Sequence, residues 1–123
     1  MANPFAEKSN RTWDEATACL ASDHVNSAAS RFYYAVFQSV KGFAIARKEM
    51  TEDTSEGVHG IAIRVVGKYG KTGSSYFRER FNRLFAMRLK ADYMLVDVER
   101  QQLEDLLKDA DSIRQYFIRL AGV

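Results

Sequence analysis

Proline is nearly absent from this sequence of 123 residues, in which Pro4 is the only one. Inside a helix a proline loses a backbone hydrogen bond and clashes with the preceding turn. A chain that avoids it can be helix over most of its length. Cysteine is as scarce, with Cys19 alone, so no disulfide framework holds the fold. One unpaired thiol fits a reducing compartment, and a cytoplasmic location is the expectation. The two histidines, His24 and His59, lack the local Cys/His/carboxylate spacing of a zinc site. No metal and no other cofactor is expected. No apolar run approaches the ~18 residues of a membrane span, so no membrane partner is expected. Residues 1–10 lack the charged start and apolar stretch of a signal peptide.

What the sequence does contain is enough for a core. The hydrophobic fraction is 46% and the formal net charge only +2, which excludes a disordered chain. One helical domain over residues 1–123 is the expectation. Apolar periodicity predicts five helices. The first spans residues 10–21, with Trp13, Ala16, Thr17 and Leu20 on one face and Ser9 or Asn10 as its cap. The second spans residues 27–48 and is rich in aromatics from Phe32 to Phe43. The third spans residues 55–69, with Val58, Ile61, Ala62, Val65, Val66 and Tyr69 as its stripe and Gly70 to Gly73 ending it, Gly70 being suited to a left-handed cap. The fourth starts near Ser74 or Ser75 and ends around Tyr93. The fifth starts at Asp97, its expected N-cap, and runs close to the C-terminus. Short connections favour an all-α, up-and-down antiparallel bundle of four or five helices.

Charge is unevenly spread. Residues 64–90 hold eight bases against the single acid Glu79, a net +7. Residues 91–113 hold seven acids against Arg100 and Lys108, a net −5. At about 100° per residue, Arg80, Arg83 and Lys90 fall opposite the Phe77/Phe81/Leu84/Phe85 stripe. That basic surface reads either as a solvated face or as a phosphate-binding surface for RNA or a nucleotide. Arg88 differs, because its spacing from Phe81, Leu84 and Phe85 places it within the apolar arc. A buried arginine needs partners, and Asp92, four residues on, is in reach. Arg88 is either a packing arginine paired with Asp92 or an arginine facing a cleft or dimer interface. His59 lies on the shoulder of its stripe and reads as a packing residue before a base. Gly70 and Gly73 lack the spacing of a phosphate-cradling loop.

The run Ala29-Ser30-Arg31-Phe32-Tyr33-Tyr34-Ala35-Val36-Phe37, taken with Arg88-Leu89-Lys90-Ala91-Asp92-Tyr93, resembles the HEPN superfamily. Gly57-Val58-His59-Gly60-Ile61 and Gly67-Lys68-Tyr69 resemble the third helix of its small stand-alone group, often encoded beside a minimal nucleotidyltransferase. The resemblance covers roughly residues 10–120. It implies a helical bundle that forms a two-fold homodimer. In the ribonucleases of that superfamily an arginine is followed four to six residues later by a histidine. The pair cleaves RNA without metal across the dimer. Arg88 matches that arginine, but no histidine lies between Leu89 and Val98, and Tyr93 stands where one would be. Cleavage through the ribose 2′-OH wants a base titrating near neutral pH, which tyrosine does not supply.

The resemblance turns Arg88 toward a cleft, with Asp92 to orient it and Tyr93 to donate a hydrogen bond. Arg31 and Tyr34 either line the same cleft or, for Arg31, pair structurally with an acid. Three readings follow. The first is a non-catalytic binding module for RNA, a nucleotide or a protein, a homodimer acting with a nucleotidyltransferase-type partner in a toxin–antitoxin-like setting. The second is a divergent ribonuclease toxin with Arg88 and His59 as its catalytic candidates. The third is a purely structural dimer.

Overall fold

The computed structural model describes residues 4–54, 56–70 and 75–122, and they form five α-helices. These are α1 (Pro4–Ala21), α2 (Val25–Ala46), α3 (Val58–Tyr69), α4 (Ser75–Tyr93) and α5 (Arg100–Ala121). No strand occurs among the described residues. The expected all-α bundle is the observed one. None of the described helices is long and apolar enough to cross a membrane.

Helix α2 is the axis of the bundle and packs against each of the others. It buries Phe32, Tyr33, Val36, Val40 and Phe43. Fully burying such a side chain contributes roughly 1.5–3 kcal/mol. Helix α1 returns along it, and Ser9 Oγ donates to the Ala35 carbonyl at 2.6 Å. That contact requires a close crossing of two backbones, which the small residues Ala35, Ala28 and Ala16 permit. Helix α5 lies on the far side, with Phe117 against Phe43 and Arg100 reaching the Leu20 carbonyl. Helices α1, α2, α4 and α5 alternate in direction. The short α3 lies within the α2–α4 connection and runs in the same sense as α2. Its first turn meets α2 through Tyr33 and His59, and its last through Phe43 and Tyr69.

Helix boundaries differ from the expectation where side chains have tertiary work. Helix α1 begins at Pro4, well before residue 10. Proline at the first helical position loses nothing, since that N–H has no intrahelical acceptor. Ser9 and Asn10 are therefore inside α1 and cap nothing. Ser9 binds Ala35, and Asn10 Oδ1 accepts from Arg114 Nη1 at 2.6 Å. Helix α5 starts at Arg100, not Asp97. Asp97 instead accepts from Asn26 Nδ2 at 2.9 Å, and Asn26 Oδ1 accepts from the Val98 amide at 2.9 Å. One amide side chain thus pins the α4–α5 connection to the start of α2. Helix α2 runs from Val25 to Ala46, two residues earlier at each end than the expected 27–48. Helix α3 begins at Val58, after Gly57 in a left-handed conformation at φ 63°. Gly70 ends α3 in an extended conformation at φ −62°, not as a left-handed cap, its amide reaching the Val66 carbonyl. Ser55, the expected start of α3, the Lys71–Gly73 part of its expected ending, and Ser74 lie outside the described residues.

Two helix ends use left-handed residues that are not glycine, Asp23 at φ 63° and Lys48 at φ 62°. Both close their helices with reversed hydrogen bonds. The amide of His24 reaches the Cys19 carbonyl, and that of Glu49 reaches Ala44.

Candidate functional site

The apolar stripe of α4 runs through Phe77, Phe81, Leu84 and Phe85, then meets Arg88 one turn on. There the stripe leaves the core, and the Arg88 side chain remains only 17% exposed. Its guanidinium carbon lies 5.2 Å from the Tyr34 ring centroid and 5.5 Å from that of Tyr93. Nη2 donates to the Tyr34 hydroxyl at 2.7 Å and lies 3.5 Å from the Tyr93 hydroxyl. Nε is 3.0 Å from Asp92 Oδ2, an ion-pair contact whose N–H is not aligned for a hydrogen bond. Ser30 Oγ donates to the same carboxylate oxygen at 3.3 Å. The cation is thus held by two phenols and one carboxylate. Tyr34 and Tyr93 are themselves exposed, at 36% and 72%.

Helical geometry explains why Tyr34 belongs here and Tyr33 does not. Neighbouring residues on a helix diverge by about 100°, so Tyr33 points inward. Its hydroxyl lies 2.9 Å from His59 Nδ1. His59 Nε2 lies 3.1 Å from Asn82 Oδ1. That oxygen can only accept, so Nε2 carries the proton and Nδ1 accepts from the Tyr33 hydroxyl. The imidazole stacks on Phe85, with centroids 3.5 Å apart and planes at 12°. Burial holds the His59 pKa below its ordinary value, the bond to Asn82 works against that, and the Arg88 charge adds to the lowering. Burial raises the Tyr33 pKa, with Arg88 opposing. At neutral pH the triad is uncharged and its donors and acceptors are matched.

A groove of about 560 Å³ opens between α1 and α2 and ends at Asp92. Arg31, Tyr34 and Asp92 all line it. Arg31 Nη1 pairs across it with Glu15 Oε1 at 3.2 Å. A second groove of about 370 Å³ lies between α4 and α5, and Arg80, Arg83 and Lys90 line it. Arg80 stands 3.5 Å from Asp109, the point where the basic helix meets the acidic one. Arg83 pairs with Glu79 at 2.7 Å.

Comparison with known proteins adds a family to this geometry. A family model described as HEPN domain matches residues 3–120. The chain belongs to the HEPN family. A UPF0332 protein of Thermotoga maritima is 30% identical to it over 99 residues, which is 80% of this chain and 74% of that protein.

In this HEPN chain four of the five cleft residues read from the sequence come together, and Arg31 instead pairs with the acid Glu15. Arg88, Asp92, Tyr93 and Tyr34 form one contact cluster, and Arg31 lies in the groove that begins at Tyr34. The three residues of the basic surface lie in a different groove. His59 is bound into the α2–α3–α4 junction, with both ring nitrogens engaged by Tyr33 and Asn82. Among the described residues no group of three His, Cys, Asp or Glu side chains is placed to hold a metal ion.

Sequence reading passed over Ser30, Asn82 and Arg114. The first two have no local signal, since their partners are 62 and 23 residues away. Arg114 had one. It stands between Ile113 and Phe117, four residues after Ala110, on the same kind of apolar arc that drew attention to Arg88. It is the more buried of the two arginines, at 5% against 17% for the side chain. Its Nη1 donates to Asn10, its Nε to Asp111 at 3.0 Å, and its guanidinium carbon lies 4.8 Å from the Trp13 ring centroid.

Proposed function

We propose that this HEPN chain is a non-catalytic module that binds RNA or a nucleotide. It acts as a homodimer with a nucleotidyltransferase-family partner. The observation that carries the binding reading is the placement of Arg88 between two exposed tyrosines. A guanidinium recognises phosphate through its planar fork, and exposed aromatic rings offer surfaces for bases to stack on. Tyr34 and Tyr93 supply the rings. Support for a dimer comes from the exposed run Tyr93, Met94, Leu95 and Val96 beside that arginine. Support for the nucleotidyltransferase partner comes from the family resemblance alone. The ribonuclease reading needs a base with a free lone pair near neutral pH. The Nδ1 lone pair of His59 is occupied by Tyr33, and its pKa is displaced downward.

Fluorescence anisotropy with single-stranded RNA tests the reading. Phosphate contacts make affinity fall steeply with salt. Arg88→Ala is expected to weaken binding about tenfold or more and to flatten the salt slope by about one phosphate contact, with the RNA recovered intact. Salt-independent affinity, or cleavage that disappears with Arg88→Ala, overturns it. Light scattering of the wild type tests the dimer, and a monomer at micromolar concentration removes that element. Co-purification with the product of the neighbouring gene tests the partner. If that product is not a nucleotidyltransferase, or does not associate, that part is withdrawn.

A further inference from the structure

The connection from α4 to α5 leaves consecutive apolar side chains in water. Beyond Tyr93, Met94 and Val96 are exposed and Leu95 stands fully clear of the fold at 104%. Looseness does not account for this. The Met94 amide still bonds to the Lys90 carbonyl of α4. Downstream, Asn26 holds the Val98 amide and Asp97, and Val98 is buried. An ordered apolar ridge in water marks an interaction surface. Beside it, the groove between α4 and α5 has a floor of Ala86, Met87 and Leu106 and a volume of about 370 Å³. Arg83, Met87 and Lys90 line it at helical spacing, and Met94 continues their stripe one turn on. Arg83 and Arg80 are already paired, with Glu79 and Asp109. Lys90 on the groove and Glu99 past the ridge have no ion-pair partner among the described residues.

We infer that the ridge Met94–Val96 docks into the α4–α5 groove of a second copy of this chain. The inference rests on the homodimer proposed above and names its interface. A two-fold interface is self-complementary, so that residue i meets j and j meets i. Ridge and groove are neighbours along α4, and a two-fold axis between them seats each ridge in the other copy's groove. Leu95 then covers the partner's Met87 and Leu106, and Glu99 pairs with the partner's Lys90. Each contact occurs twice. A nucleic acid or an acidic peptide would satisfy Lys90 and leave both Glu99 and Leu95 in water. A second copy answers all three features at once.

Sedimentation equilibrium of the full chain measures the dimer constant. Circular dichroism checks that each variant keeps its helix content. Leu95→Asp and Ala86→Glu both change exposed positions. Each is expected to weaken the dimer about tenfold or more, since a charge is forced into an apolar contact. Lys90→Glu and Glu99→Lys are each expected to weaken it about threefold or more, and the double variant, with the charges exchanged, to recover the loss. A double variant no tighter than the single ones overturns this register of the two copies. A dimer unchanged by Leu95→Asp and Ala86→Glu overturns the interface and leaves the homodimer standing. If Leu95→Asp then abolishes co-purification with the neighbouring gene's product, the ridge belongs to that partner instead. A wild-type monomer at micromolar concentration removes the homodimer and the interface together.

Discussion

Two arginines on apolar arcs, Arg88 and Arg114, are expected to separate when each is replaced by alanine. Arg114→Ala removes a guanidinium with 5% side-chain exposure. It removes the donor to Asn10 Oδ1 at 2.6 Å and to the buried Ser9 Oγ at 3.4 Å, and uncovers the face of Trp13. A hydrogen bond from a charged donor is worth about 1.5–3 kcal/mol, and the ring contact about 0.5–2. The ion pair with Asp111, whose side chain is 41% exposed, is screened and adds about 0.5 kcal/mol. Releasing the cation's desolvation cost offsets part of the total. The net loss is about 3 kcal/mol, a melting shift of roughly 10 °C for a domain of this size. Arg88→Ala loses one short hydrogen bond, two ring contacts and the Asp92 pair, but its phenol partners face water and are rehydrated, so its cost is smaller, about 1–1.5 kcal/mol. Urea denaturation followed by helical circular dichroism measures both, and RNA anisotropy below the transition reads binding. Arg114→Ala is expected to lose more stability and keep affinity; Arg88→Ala should do the reverse. A stability loss for Arg88→Ala equal to that for Arg114→Ala would refute the assignment of one to structure and the other to the site.

Two further outcomes follow from geometry already described. Lys48 holds φ 62° without being glycine, a conformation that costs an L-residue about 1–2 kcal/mol. Lys48→Gly is expected to raise the urea midpoint by an amount corresponding to about 1 kcal/mol with an unchanged denaturant slope, and a fall would show that the side chain contributes more than its strain. His59 has a folded pKa below its unfolded value. The unfolded chain therefore binds more protons between the two, and stability rises with pH there. Its contribution is complete above about pH 6.5 and is lost as pH falls through that value toward the folded pKa. Stability measured from pH 7.5 to 5 should decline, and His59→Gln should reduce the decline; an identical profile in the variant would exclude the triad as its source.

Much of the bundle is legible in the sequence because its helices bury single faces. The stripes of α2, α3 and α5 repeat at helical spacing, and the residues on them are the ones found in the core. Helix ends are less legible. Ser9, Asn10 and Asp97 have the side chains of caps, and the same hydrogen-bonding capacity serves tertiary partners instead. Nothing near Ser9 in the sequence says that Ala35 will be its acceptor. The site divides the same way. Arg88, Asp92 and Tyr93 lie within two turns of one helix, so spacing relates them. Tyr34 joins them only because α2 and α4 pack side by side, and the pairing of Tyr33 with His59 and Asn82 needs three helices in place. The α1–α2 groove is invisible to periodicity, since its lining residues Lys8 and Arg11 look like ordinary solvated charges until α2 lies opposite them.

Tyr33 and Tyr34 are adjacent in the chain, yet one meets the aromatic core and the other the open groove. Within a single turn, α2 is both the most crowded part of the interior and the floor of the groove. Positions 30, 34 and 38 can therefore vary in chemistry while positions 33, 36 and 37 keep the packing that holds them still. The helix thus keeps the fold on one face and leaves the chemistry of the other free to change.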